Sequence, residues 1–172
     1  IVIRKRGSMK ERSSTKKKIT LTVCVVLALF ALLNIGWFAW RAVKYAPYST
    51  AMTQNAFSDV IVPRYAFVDD EGYNYNVKYP DYLSFTGNIS VGMPASDDNL
   101  FTDALIIWPL ASGGYEYGVL LYEESEGYQI YIDSQGNAVN RNDDEVIERH
   151  KDNIGTLLQR AEEMWSDLAE MR

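Results

Sequence analysis

His150 is the only imidazole in this 172-residue chain and Cys24 the only thiol. Nucleophilic catalysis needs a base beside a hydroxyl or thiolate. The sequence instead sets His150 between Ile147 and Ile154, on the apolar side of a helical pattern. A histidine in that position packs its ring and bonds a neighbour. Gly113-Gly114 is followed by Tyr115 and Glu116, with no Lys-Ser/Thr pair, so it reads as a turn and not as a phosphate cradle. Carboxylates are the one abundant chemical resource. They form four groups: Asp69-Asp70-Glu71, Asp97-Asp98 with Asp103, Glu123-Glu124-Glu126, and Asp143-Asp144-Glu145. A paired-acid hydrolase would need two of them facing each other about 5–9 Å apart. A Ca²⁺ ion would take loop carboxylates and carbonyls. The segment from Asp133 to Asp144 comes nearest to a calcium loop, but Ala138 stands where the turn glycine belongs and Asp144 where the terminal Glu belongs. Solvated turns and an anionic helix start account for all four groups. No catalytic, cofactor-binding or metal-binding residue is therefore assigned, and the chain reads as a binding protein rather than an enzyme.

The charge distribution divides the chain. Residues 1–18 hold eight Lys/Arg and one Glu, residues 19–40 hold no charge, and residues 41–172 carry a net charge of −13 within an overall −6. The apolar run from Ile19 to Trp40 makes a helix of roughly 33 Å, enough to cross a hydrocarbon core. Trp37 and Trp40 stand at its far end, where amphipathic rings favour the headgroup level, and Lys16, Lys17 and Lys18 abut its near end. The positive-inside rule keeps the N-terminus in the cytoplasm and puts the rest outside. Met9 is the expected start, MKERSSTKKK being a basic head of bacterial type. A cleaved signal would have a shorter apolar region and a small-x-small site close behind it. Ser49-Thr50-Ala51 has the right sizes but lies well past the run, so the expectation is an uncleaved signal-anchor. A single Cys, placed inside the apolar run, allows neither an intrachain disulfide nor a lipoprotein anchor.

These observations define a basic tail (1–18), a transmembrane anchor (19–40), a connector (41–62) and an extracytoplasmic domain (63–172). Pro47 should discourage a long stalk helix, and residues 51–61 offer a short helix with Met52, Phe57, Val60 and Ile61 on one side. Strict alternation marks strands at 73–79 and 83–91, and a doubly apolar run marks a central strand at 103–108. Further strands are expected at 115–122 and 127–133, with a stub at 138–139. Residues 143–171 carry a helical stripe, with Asn142 as N-cap, Glu145 completing a capping box and Glu145–Arg149 as an i,i+4 pair. Gly155 is the expected weak point. The fold class is α+β: an antiparallel meander of five or six strands, packed by a long C-terminal helix and preceded by one transmembrane helix.

Two surfaces stand out. A 29-residue helix of roughly 43 Å exceeds the sheet it covers, so Met164, Trp165, Leu168 and Met171 form a candidate partner surface if its last turns project. Tyr73, Tyr75, Tyr79, Tyr115 and Tyr117 fall at inward positions. Leu120, Tyr122 and Tyr131 alternate onto the opposite face together with some of the 103–108 strand, to be covered by 51–61 or left as a second contact surface. The acidic domain excludes nucleic acid and polyanionic partners. The expectation is therefore a membrane-anchored binding or accessory module. Its partners are the lipid bilayer, through 19–40, and another protein. The alternatives are a domain binding a small ligand, carbohydrate or Ca²⁺, and then a carboxylate-dependent hydrolase.

Overall fold

The computed structural model describes residues 6–95, 101–123, 126–166 and 168. The chain forms two compact units, divided between Ala42 and Val43.

A single helix, α1 (Arg6–Ser49), runs through the first unit and into the second. It is long and apolar enough to cross a membrane. Its polar side chains bond back to the helix: Thr20 to the Lys16 carbonyl, Thr22 to that of Lys18, and Asn34 to that of Phe30 at 2.7 Å. Each of these three side chains thus has a partner within the helix, as a membrane-crossing helix would require. Near the end of this unit the Arg41 guanidinium lies 4.7 Å from the ring centroids of both Trp37 and Phe38.

The expected connector continues this helix to Ser49, with Pro47 inside its last turn. Proline there forfeits one backbone bond close to a terminus whose carbonyls lack helical partners in any case. The hydroxyls of Ser49 and Thr50 donate to the Ala46 carbonyl at 3.3 and 2.9 Å. Packing outweighs the proline, because Tyr45 and Tyr48 of this last stretch are buried in the second unit.

The second unit is α+β, with a sheet of seven antiparallel strands in sequential order rather than five or six. They are β1 (Thr53–Gln54), β2 (Arg64–Val68), β3 (Asn74–Lys78), β4 (Asn88–Gly92), β5 (Ala104–Pro109), β6 (Tyr115–Glu123) and β7 (Glu126–Ile132). The two additional strands are β1 and β2. Residues 51–61 do not form the expected helix, because Asn55 and Asp59 capture their own backbone: Asn55 accepts from the Phe57 amide, and Asp59 from those of Ile61 and Val62. Such local bonds compete directly with helix formation. The strand expected at 83–91 begins only at Asn88. Before it, Ser84 N–H closes a turn on the Asp81 carbonyl, and Leu83 adopts φ 58°. The stub strand reduces to one bridge, Ile132 to Ala138.

The 143–171 segment is two helices, α2 (Asp144–Arg149) and α3 (Lys151–Met164), divided at His150 and not at Gly155. The N-cap also differs. Asn140 accepts from the Asn142 amide and caps a single 3₁₀ turn ahead of α2. At 14 residues α3 is about 21 Å long, which removes the expected mismatch with the sheet.

Register assigns each strand residue to a face. Tyr75, Val77, Ile89, Val91, Leu105, Ile107, Val119, Leu121, Ile130 and Ile132 point to one side and are buried. Ile147, Ile154, Leu157, Leu158 and Ala161 of the two helices are buried with them. Tyr45 enters the same layer, where its hydroxyl accepts from the Gly87 amide at 2.8 Å. A Cβ on Gly87 would stand 2.4 Å from the Lys78 carbonyl and 2.9 Å from the Tyr45 ring, so only glycine fits there.

Candidate functional site

Asp103 lies just ahead of β5 and is only 6% exposed. Its Oδ2 is 2.7 Å from Nδ1 of His150 and accepts from the Asn153 amide at 2.8 Å, while Oδ1 accepts from the Tyr122 backbone amide at 2.9 Å. The other ring nitrogen of His150 stands 3.3 Å from Glu123 Oε1. Glu123, at the end of β6, holds Arg149 in two-point contact at 2.7 and 3.2 Å, and Arg149 also reaches Glu145 at 2.9 Å. The Arg149 guanidinium, with a smaller contribution from His150, outweighs partial burial and holds the Glu123 carboxyl below the usual range. A general base needs a lone pair facing substrate. Both nitrogens of His150 are occupied by carboxylates, so the cluster clamps the α2–α3 junction to β5 and β6.

A second clamp sits at the other end of α3. The Arg160 guanidinium lies 4.5 Å over the Tyr73 ring and pairs with Glu71. Beside it, the Tyr75 hydroxyl donates to Asp69 at 3.2 Å. Burial, then the Asp69 carboxylate, push Tyr75 up to about 12. Asp69-Asp70-Glu71 is thus a structural turn, with Asp69 accepting from the amides of Glu71 and Tyr73. Asp133 plays the same part after β7, bonding the amides of Gln135 and Asn137. Among the described residues, no group of three or more His, Cys, Asp or Glu is arranged to hold a metal ion. Asp97, Asp98 and Glu124 lie outside the described residues.

The candidate surface at the end of the C-terminal segment does not project. Trp165 is 4% and Leu168 2% exposed, and Met164 is half-buried. The Trp165 indole donates to the Tyr48 carbonyl at 3.0 Å and meets the Tyr75 ring edge-on at 6.0 Å. The helix ends at Met164, and both Trp165 and Leu168 are buried in the core. Met171 lies outside the described residues.

The opposite sheet face is different. Ala66, Asn74, Asn76, Asn88, Ser90, Ala104, Ile106, Trp108, Leu120, Tyr122, Gln129 and Tyr131 share it by register. Leu120 and Tyr122 are half-buried there and Tyr131 is 55% exposed. Residues 51–61 do not cover them. That segment adds to the β2 edge, four strands from β5, and its Phe57 and Val60 are 81% and 85% exposed. Both helices of the C-terminal segment pack on the other side.

Trp108 and Tyr131 pair at 5.6 Å, and Phe101 and Tyr122 at 5.5 Å. Two glycines make this possible. A Cβ on Gly118 would stand 2.9 Å from two atoms of the Trp108 indole, and one on Gly127 would stand 3.1 Å from the Tyr122 ring. The Trp108 and Tyr122 rings therefore each approach the sheet at a glycine. Sequence reasoning placed part of the 103–108 strand on this face without naming Trp108, and missed Phe101. The signal was Gly118 inside the strand YEYGVLLY, since a strand glycine marks close approach of another group. A cleft of about 680 Å³ adjoins the face, lined by Glu116, Tyr117, Tyr131, Ser134 and Val139 among others. Comparison with protein-family models, curated proteins and solved structures finds no match.

Proposed function

We propose that this chain is a single-pass anchored membrane protein, with its N-terminus in the cytoplasm and its α+β domain outside, acting as a binding or accessory module of a cell-surface or membrane complex. The observation that carries this reading is the outer face of β5–β7, which no helix among the described residues covers. A domain of this size buries its apolar strand faces unless one of them has another use. Here one face is closed by three helical segments, while on the other Tyr131 is 55% exposed and Trp108 and Tyr122 are half-buried. The basic head and the apolar run supply the orientation.

The core supports an uncleaved anchor. Processing at Ser49-Thr50-Ala51 would detach Tyr45 and Tyr48, which the domain buries, together with the Tyr48 carbonyl that Trp165 bonds. A photoreactive residue placed at Tyr131 tests the proposal in intact cells. Expected are a discrete adduct from position 131, none from the exposed helix position Asp152, and a full-length band that retains α1. No adduct at 131, or a mature product beginning near Ala51, would reject it.

A further inference from the structure

We propose that the outer face of β5–β7 is a platform for a neutral glycan chain, stacking pyranose rings on Trp108, Tyr131 and Tyr122. This rests on reading that face as the binding face and names its ligand class. Three observations support it.

The first is ring geometry. Because Gly118 and Gly127 carry no side chain, the Trp108 and Tyr122 rings approach the sheet closely, and Tyr131, 55% exposed, stands tilted against Trp108 at 5.6 Å. Gly118 and Tyr122 are four residues apart on β6, about 13 Å, with Leu120 between them. That is an extended track, longer than one sugar ring.

The second is the chemistry alongside. On the same face Asn76 and Ser90, on β3 and β4, share the row of Gly118 and Tyr131, and Asn74 and Gln129 share that of Leu120; all four are uncharged groups that both donate and accept hydrogen bonds. A pyranose offers the complement: an apolar C–H face for the ring and a rim of hydroxyls for the amides. A protein partner's apolar core would be matched poorly by an aromatic patch bordered by the amides and the hydroxyl of β3 and β4.

The third is charge. Residues 41–172 carry −13, yet the outward strand positions include only Arg64, Lys78 and Glu116 as charged residues, and Lys78 is paired with Asp81 at 2.9 Å. The surrounding field repels polyanions, and the near-neutral face complements an uncharged ligand.

The test uses the full chain in lipid nanodiscs, since detergents with sugar headgroups would compete. Hexasaccharides of β-linked glucose, α-linked glucose, N-acetylglucosamine and mannose are titrated by calorimetry. At least one is expected to bind at micromolar to millimolar concentration. Trp108→Ala and Tyr131→Ala should each weaken that binding about tenfold, and Asp152→Ala should leave it unchanged. Tyr131 is the more exposed position, so its variant remains informative if the Trp108 variant loses its fold. Failure of all four sugars to bind, or binding that survives Trp108→Ala, Tyr131→Ala and Tyr122→Ala alike, overturns the glycan assignment. A photo-adduct from position 131 that contains only polypeptide overturns it too, but leaves the binding-face reading standing. Absence of both sugar binding and any adduct removes both.

Discussion

Replacing Asp103 with Ala should destabilise the globular unit more than any other single loss of charge. The carboxylate is 6% exposed and serves three partners, His150 Nδ1, the Asn153 amide and the Tyr122 backbone amide, at 2.7, 2.8 and 2.9 Å. A hydrogen bond to a charged group contributes about 1.5–3 kcal/mol, and each buried donor left without a partner costs about 1–3 kcal/mol. These losses overlap, since Asn153 and His150 are half-buried and can recruit water. An overall cost of about 3–5 kcal/mol follows, in line with breaking a buried pair. Typical domains hold only about 5–15 kcal/mol in total, so the variant should stay folded with a visibly lower denaturation midpoint. Urea unfolding of the full chain in nanodiscs, read by the near-ultraviolet signal of the buried Trp165, measures the loss. A double-mutant cycle with His150→Ala should return a coupling of about 1 kcal/mol or more. A destabilisation below about 1 kcal/mol, or coupling indistinguishable from zero, would refute the clamp.

Other outcomes follow from the same geometry. Gly87→Ala forces a Cβ to 2.4 Å from the Lys78 carbonyl; with backbone on one side and Tyr45 on the other, a loss of about 3 kcal/mol or more is expected, and a midpoint like the parent's would contradict it. Gly118→Ala must lift the Trp108 indole off the sheet, so acrylamide quenching should show that indole more exposed at a stability cost of about 1–3 kcal/mol. For Glu123, the bound Arg149 lowers the folded-state pKa, so its contribution is full above the ordinary glutamate value of about 4.3. That contribution is lost as pH falls through the lowered folded value; melting curves of parent and Glu123→Gln should converge below that point and diverge above it. Trp165→Ala should cost about 3–5 kcal/mol, because it empties a core position and leaves the Tyr48 carbonyl without its indole donor.

The parts legible in sequence are those where one period dominates. The apolar run announced α1, and strict alternation located β3 with its inward Tyr75 and the later part of β4. Legibility failed where a local contest was decided by tertiary packing. Pro47 argued for a break, but burial of Tyr45 and Tyr48 kept the helix going. Leu83 and Phe85 continued the alternation of β4, although a turn from Asp81 had already taken the chain out of the sheet. Strand β2 was hidden because Ala66 and Val68 are apolar as well as Tyr65 and Phe67, which blurs the period of two. The stripe of the C-terminal segment ran unbroken through His150, since a stripe records which residues face the core and not whether the backbone stays helical. The aromatic face was half legible. Leu120, Tyr122 and Tyr131 fell onto it by alternation, whereas Trp108 needed its ring orientation, which only the space over Gly118 sets.

The central claim, that the outer face of β5–β7 is a binding face outside the membrane, is tested most directly by thiol labelling at Tyr131. Cys24 is the sole native cysteine, so a Cys24→Ser background carrying Tyr131→Cys or Asp152→Cys gives one reporter at a time. A membrane-impermeant maleimide is applied to intact cells and to purified chain in nanodiscs. Position 152 should label at the same rate in both, and position 131 several-fold more slowly in cells than when purified, because its face is occupied there. Equal rates at 131 in both settings, or no labelling of either position from outside the cell, would contradict the account.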